Sequence, residues 1–247
     1  MIIVFGSSGT LGTSIINELS LRGIEFGVTT NSRHEEVKNY INKKNLKPKF
    51  ITKCDVCKFK EVKKVIKKAY KISGKISGII NNFAFTYQKN PDKFVTKKDI
   101  LNRKKIFNVN YFGIVNVFES LLSFEKLNKK NNISVVNVTS NAIKTLNASN
   151  EHYISSKAAV EQLSKYYAHH YGSQMNINCV APGLMLSNLT NKRYELSKKK
   201  VLKKIPLKRL IAPDEVAELI VGILIDYKGL NGQTIYIDGG RVIKLND

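Results

Sequence analysis

The sequence predicts a single α/β domain built as a doubly wound parallel sheet with helices on both faces, a three-layer αβα sandwich. Three observations carry this expectation. Short apolar runs alternate with segments of helical period along all 247 residues. The connections between those runs are long enough for helices, which implies parallel pairing through right-handed crossovers. A glycine-rich turn lies between the first apolar run and the first helix. No repeat, low-complexity linker or compositional break divides the chain, so residues 1–247 read as one domain.

The elements follow in order. Ile2–Phe5 is a short buried strand, and Leu11, Ile15, Ile16 and Leu19 then recur at helical spacing until Gly23 stops the helix. Glu25–Thr30 is the second strand, His34–Lys44 a polar helix, and Pro48 the turn after it. Phe50 and Ile51 lead a third strand ending near Asp55. Val62, Val65, Ile66 and Ala69 line one face of a lysine-rich helix. Ser77–Asn81 is the fourth strand and Asn82–Val95 a loop. Long helices are expected over Asp99–Leu127 and Glu151–Tyr171, each leading to a strand, Ile133–Thr139 and Asn176–Val180. After Pro182-Gly183 the pattern weakens, and Ser187–Pro206 reads as a polar, basic, mobile loop with a short helix. Pro213–Ile225 is a helix with proline in its first turn, and Thr234–Ile237 a last strand closed by Gly239-Gly240.

Composition removes several function classes. A hydrophobic fraction of 43% supports a packed core and excludes a disordered chain. Three cysteines exclude a disulfide framework and suit a reducing compartment. No run approaches the roughly 18 apolar residues of a membrane span, and Met1 leads straight into Ile2-Ile3-Val4-Phe5. A cytoplasmic protein with no membrane partner is expected. The net charge of +22 raises the question of polyanions. Only six of the 41 cations are arginines, and the 35 lysines are spread along the chain. A surface that reads phosphates or bases favours the arginine fork. A general lysine bias is therefore preferred and nucleic acid is not an expected partner. Cys54-Asp55-Val56-Cys57 has neither a second CxxC nor a matching histidine spacing, so no metal site is expected.

Gly6-Ser7-Ser8-Gly9-Thr10-Leu11-Gly12 has the strand–turn–helix setting of a Rossmann-type dinucleotide site. Glycine permits a tight turn and a close approach of backbone N–H groups to a pyrophosphate, and the helix start adds partial positive charge. Gly6, Ser8, Gly9, Leu11 and Gly12 are the cofactor candidates here. The second strand ends Thr29-Thr30-Asn31-Ser32-Arg33, without the acid that would bind free ribose hydroxyls and repel a 2′-phosphate. Asn31, Ser32 and Arg33 suit a phosphate, so NADP(H) is favoured over NAD(H). Asp55 and Val56 are candidates for the adenine rim.

Tyr153 and Lys157 stand four apart on one helix and so share a face. An ammonium near a phenol favours phenolate and moves tyrosine toward acid/base chemistry. Further motifs stand in order around them: Asn81-Asn82-Phe83-Ala84, Asn110 within Asn108–Gly113, Val136-Asn137-Val138-Thr139-Ser140 thirteen residues before Tyr153, Pro182-Gly183, and Ile237-Asp238-Gly239-Gly240. Together they resemble the short-chain dehydrogenases/reductases over nearly the whole chain. Thr10 replaces the middle glycine of the short branch's turn, and Phe83-Ala84 replaces Ala-Gly, which puts a ring at the cofactor edge.

The resemblance implies hydride transfer between a nicotinamide and a carbonyl or alcohol carbon. Tyr153 would pass the hydroxyl proton, Lys157 would hold the nicotinamide ribose and lower the Tyr153 pKa, Ser140 would bind the substrate oxygen, and Asn110 would hold a relay water. Asn82, Ala84, Pro182 and Gly183 would join Tyr153 and Lys157 along the cofactor. A 3-oxoacyl thioester and a keto-sugar or nucleotide sugar are both open as substrates. A lid at about 187–206 carries lysines 192, 198, 199, 200, 203 and 204, which suit an anionic one. A homodimer or homotetramer is expected through Ile106, Phe107, Tyr111, Val115 and Phe118 on one long helix and Val160, Leu163 and Tyr167 on the other. The competing classes are a catalytically idle cofactor-binding protein and a basic nucleic-acid-binding protein.

Overall fold

A computed structural model describes residues 1–88, 95–124, 132–186 and 198–243. Seven strands form one parallel sheet: β1 Ile2–Phe5, β2 Phe26–Thr30, β3 Ile51–Lys53, β4 Gly78–Asn81, β5 Ile133–Val138, β6 Met175–Pro182 and β7 Thr234–Ile237. Their spatial order is β3-β2-β1-β4-β5-β6-β7. The helices are α1 Thr10–Leu21, α2 His34–Lys43, α3 Phe59–Ser73, α4 Lys97–Phe107, α5 Gly113–Leu122, α6 Ala142–Thr145, α7 Glu151–His170 and α8 Pro213–Ile225. A π turn, Asn108–Phe112, joins α4 to α5.

The strands are apolar on both faces because both are covered. Ile3 and Phe5 point into one core layer with Val62, Ile66, Val117, Phe118 and Val160. Ile2 and Val4 point into the other with Ile15, Ile16, Leu19, Val216 and Ile220. Register places Phe5 beside both Thr29 of β2 and Asn81 of β4. The winding reverses between β1 and β4, so a crevice opens beyond their carboxyl ends. Among the described residues no helix is long and apolar enough to cross a membrane.

Several elements differ from the sequence expectation, each for a local reason. The helix expected over Asp99–Leu127 starts at Lys97. Thr96 Oγ1 accepts from Asp99 N at 3.2 Å while the Asp99 carboxylate accepts from Thr96 N at 2.9 Å, a reciprocal cap. Its α pattern is interrupted by the π turn and it ends at Leu122, while 125–127 lie outside the described residues. β6 extends to Met175 and Pro182, since Cys179, Val180, Ala181 and Pro182 all pair with β7. α6 was not expected. Of the apolar side chains assigned to an intersubunit face, Ile106, Phe118 and Val160 are buried inside this chain. Phe112 and Tyr166 are the exposed aromatics on those helices. Of the lid, 187–197, with Lys192, lie outside the described residues, and 198–203 are helical.

Gly6 has φ +85, and a Cβ there would lie 2.5 Å from the backbone nitrogen of Phe83. Gly6→Ala combines left-handed strain with a clash that backbone cannot relieve. Urea unfolding should show a loss of at least about 2 kcal/mol. An unchanged midpoint would mean that the β1–α1 turn is loosely held.

Candidate active site

The crevice holds a cleft of about 580 Å³. Its floor is the glycine turn. Ser7 is fully buried, and both its N–H and its Oγ donate to Thr29 O, at 3.2 and 3.0 Å, pinning the turn to β2. Asn82 Nδ2 donates to Gly6 O at 2.8 Å from the β4 side. Gly9 is the N-cap of α1, with no side-chain cap and no acid in the first turn. A Cβ on Gly9 would meet nothing within 4 Å. The first-turn N–H groups of a helix have no intrahelical acceptor, and Gly9, Thr10 and Leu11 line the cleft, the setting of an anion site. Gly12 acts differently: a Cβ there would lie 2.6 Å from the Ser7 carbonyl carbon, so this glycine lets α1 pack against the turn.

At the end of β2, Thr30 Oγ1 and His34 Nδ1 are 2.7 Å apart, and Asn31, Ser32 and Arg33 stand exposed along the cleft wall. The acids that follow, Glu35 and Glu36, lie in the first turn of α2 and do not line the cleft. Asp55 Oδ1 accepts from Cys57 N at 3.0 Å, and Val56 lines the wall beside it. The Phe83 ring is seated in space left by Gly113, where a Cβ would lie 2.8 Å from the ring and 2.9 Å from Val56. The ring therefore borders the cleft while packing downward into the core. Burial pushes the Cys54 thiol up to about 12 and the Cys57 thiol up to about 11, which disfavours the thiolate at both. Among the described residues no three His, Cys, Asp or Glu side chains gather to hold a metal.

The opposite end gathers the catalytic candidates. Asn150 caps α7 by accepting from Tyr153 N at 2.8 Å, and its Nδ2 donates to Tyr87 O at 2.7 Å. That cap, worth about 1 kcal/mol, fixes the helix start that carries Tyr153. Tyr153 is hydrogen-bonded to Ser140 at the end of β5. Lys157 is 3% exposed, and its Nζ donates to Val138 O at 2.6 Å and lies 5.9 Å from the Tyr153 ring centre. Burial lowers its pKa to about 8. The same burial raises the Tyr153 pKa, with the Ser140 hydrogen bond pulling the other way. In this geometry the Ser140 hydrogen bond favours the phenolate.

Asn110 does not line the cleft. It stands behind the wall with its amide fully engaged: Oδ1 accepts from Phe85 N at 2.7 Å, and Nδ2 donates to Phe85 O at 3.1 Å and Ser156 Oγ at 3.0 Å. It clamps the irregular segment after β4 to α7. Apart from Gly12 and Asn110, every residue expected at the site lines the cleft: Gly6, Ser8, Gly9, Leu11, Asn31, Ser32, Arg33, Asp55, Val56, Asn82, Ala84, Ser140, Tyr153, Lys157, Pro182 and Gly183. The sequence reading missed Phe85, Lys105, Val109 and Met185, which line it too. Lys105 Nζ sits 4.4 Å over the Phe85 ring. Lys105 and Val109 are four apart on the helix leading to Asn110, a signal that was available. Phe85 and Met185 had none.

A family model described as enoyl-(acyl carrier protein) reductase matches residues 6–241. The chain belongs to the short-chain dehydrogenase/reductase family. It is 27% identical to the 3-oxoacyl-[acyl-carrier-protein] reductase FabG of Staphylococcus epidermidis over 249 residues, 96% of this chain and 97% of that one. It is 32% identical to the protein of that name from Thermotoga maritima over 185 residues, 74% and 73% of the two chains. The fold is similar to a short-chain type dehydrogenase/reductase from Mycobacterium ulcerans, with TM-score 0.88 and 18% identity, covering 98% and 89%. It is also similar to a short-chain dehydrogenase/reductase from Brucella melitensis, with TM-score 0.84 and 22% identity, covering 97% and 95%. As a family member the chain is an oxidoreductase that works with a nicotinamide dinucleotide.

The Lys157 pKa of about 8 lies below its ordinary 10.5. Between those values the unfolded chain holds a proton that the folded chain has released, so stability rises with pH across that window. The cost of burying the charge is fully present below it. Urea unfolding from pH 7 to 10.5 should show wild type gaining on Lys157→Met as pH rises. Parallel curves would mean that the ammonium is hydrated.

Proposed function

We propose that this protein is an NADPH-dependent ketone reductase acting on a 3-oxoacyl thioester. The observation that carries the reading is the convergence of Ser140, Tyr153 and Lys157 at one end of a cleft whose other end is the bare N-terminus of α1. The residues present fit a dinucleotide. The open space over Gly9 and the free donors of α1 suit a pyrophosphate. Asp55 and Val56 would border the adenine, Lys157 would hold the nicotinamide ribose, and Pro182-Gly183 would lie along the nicotinamide. Asn31, Ser32 and the exposed Arg33 favour a ribose phosphate over free hydroxyls.

When bound, the nicotinamide supplies the hydride. The chain's own groups handle the oxygen and the proton. Tyr153 Oη donates its proton to the substrate oxygen, and Ser140 Oγ donates a hydrogen bond to that atom as negative charge builds on it. Burial keeps the Tyr153 phenol protonated, which suits an acid and therefore reduction. Lys157, poised near pH 8, can return a proton toward Tyr153. Because the Asn110 amide is consumed by Phe85 and Ser156, its main-chain carbonyl is the group left to hold a relay water.

The substrate assignment draws on the relatives' names and on the catalytic end of the chain. Leu146, Leu186 and Leu207 are exposed there, and Leu184, Val201 and Leu202 pack around Ile205 and Leu210. An apolar border with lysines at 198, 199, 200, 203 and 204 suits an acyl chain on an anionic carrier better than a sugar. The protein would act in the cytoplasm as a homodimer or homotetramer, with Phe112 and Tyr166 available for contact.

Two measurements test this reading. Tyr153→Phe should lower turnover of a 3-oxoacyl thioester at least about a hundredfold, the scale of lost general acid catalysis, with NADPH binding retained. A near-normal rate would remove Tyr153 from the mechanism. Calorimetric titration should show NADPH binding more tightly than NADH, with Arg33→Asp narrowing or reversing the difference. Equal affinities in both proteins would reject the NADP assignment.

A further inference from the structure

Two buried side chains join the catalytic loop to a distant part of the chain. Asn141, next to Ser140, donates from Nδ2 to Asp238 Oδ2 at 3.1 Å, and both residues are almost fully buried. The Asp238 carboxylate also accepts from the backbone N–H groups of Gly240 at 3.0 Å, Arg241 at 3.1 Å and Val242 at 2.9 Å. Four donors on two oxygens leave it one orientation.

The turn that Asp238 organises touches three parts of the site. Gly183 N donates to Ile237 O at 2.9 Å, and a Cβ on Gly183 would lie 2.8 Å from the Asp238 Cα. The Pro182-Gly183 segment thus rests directly on Asp238. Asn141 N donates to Pro182 O at 3.0 Å, closing the link between that segment and the Ser140 loop. On the far side Leu207 N donates to Gly239 O at 3.1 Å. A Cβ on Gly239 would lie 2.7 Å from Ile205, and one on Gly240 would lie 3.1 Å from Pro206. Ile205 in turn packs with Leu184, the residue between Gly183 and Met185 of the cleft wall.

We propose that Asp238, acting through Asn141, is a positioning residue that holds Ser140 in register with Pro182-Gly183 and with the 205–207 segment, so that the catalytic loop, the cleft wall at Gly183 and that segment move as one unit. The proposal rests on the reading of Ser140 as a substrate-oxygen donor. A packed junction with saturated hydrogen bonds transmits displacement, because its members have no alternative partners. A shift of about 1 Å at a reacting group can cost up to about a hundredfold in rate.

The test uses the full-length protein with Asn141→Leu, which keeps the side-chain bulk and removes the donor. With acetoacetyl-coenzyme A and NADPH, kcat should fall at least about tenfold while NADPH affinity stays within about twofold. The Ser140 hydrogen bond favours the Tyr153 phenolate. With Ser140 displaced, the rise of alcohol-oxidising activity with pH should move to higher pH. Hydrogen exchange, which needs no substrate, should speed up both in 139–145 and around Leu207, although Asn141 does not touch Leu207. Exchange that changes only in 139–145, or wild-type kcat and pH profile with only a lower melting temperature, overturns the proposal. Asn141→Ala gives the same comparison should Asn141→Leu not fold. Lack of turnover by the wild-type protein would reject the substrate reading instead, and the exchange result would still decide the coupling.

Discussion

Between β1 and β4 the chain reverses its winding, so the helices that follow these two strands leave toward opposite faces. No helix can cover the strand ends at that point, and the backbone must turn there without side chains in the way. Gly6 turns with φ +85 directly against the backbone of Phe83, and Asn82 reaches back to the Gly6 carbonyl. Each later feature is placed relative to this gap. The α1 donors line one side, the ends of β5 and β6 line the other, and α7 lays Tyr153 and Lys157 across the far end.

The gap also sets the electrostatics. Lys157 is buried, no carboxylate pairs with it among the described residues, and its Nζ donates to a backbone carbonyl at the end of β5. Such a site destabilises the charged amine, which lowers its pKa from 10.5 to about 8. Groups tuned in this way gather where protons move. Tyr153 and Lys157 are displaced in opposite directions on the pH scale by one cause, removal from water. The displacement leaves an acid that keeps its proton and a neighbouring amine ready to exchange one.

Much of this was legible in the sequence because it follows periodicity or steric need. The strand–glycine–helix turn, the helical spacing of Tyr153 and Lys157 and the missing acid after β2 are all local patterns. The unreadable parts depend on contacts made at a distance. The π turn at Asn108–Phe112 has no compositional mark, yet it carries Asn110 into the interior. The cap at Thr96 uses aspartate where glutamate or glutamine is the familiar partner. Ile106, Phe118 and Val160 looked like spare apolar surface because the sequence does not say how deeply α4, α5 and α7 sink into the sheet. Phe85 is held in the cleft wall by Asn110, which grips its backbone from a distant helix.

The pairing of Phe83 with Gly113 constrains how such a chain could have arisen by single substitutions. The ring occupies the volume that any side chain at position 113 would need. A lineage could acquire a glycine at 113 first and tolerate the small void, then gain the phenylalanine as filling. The reverse order would set the ring against a side chain at 113. Once both are in place, neither can be exchanged freely: a side chain at 113 meets the ring, and a smaller residue at 83 reopens the void beneath Val56. The two positions are thus coupled in space, and a change at one calls for compensation at the other.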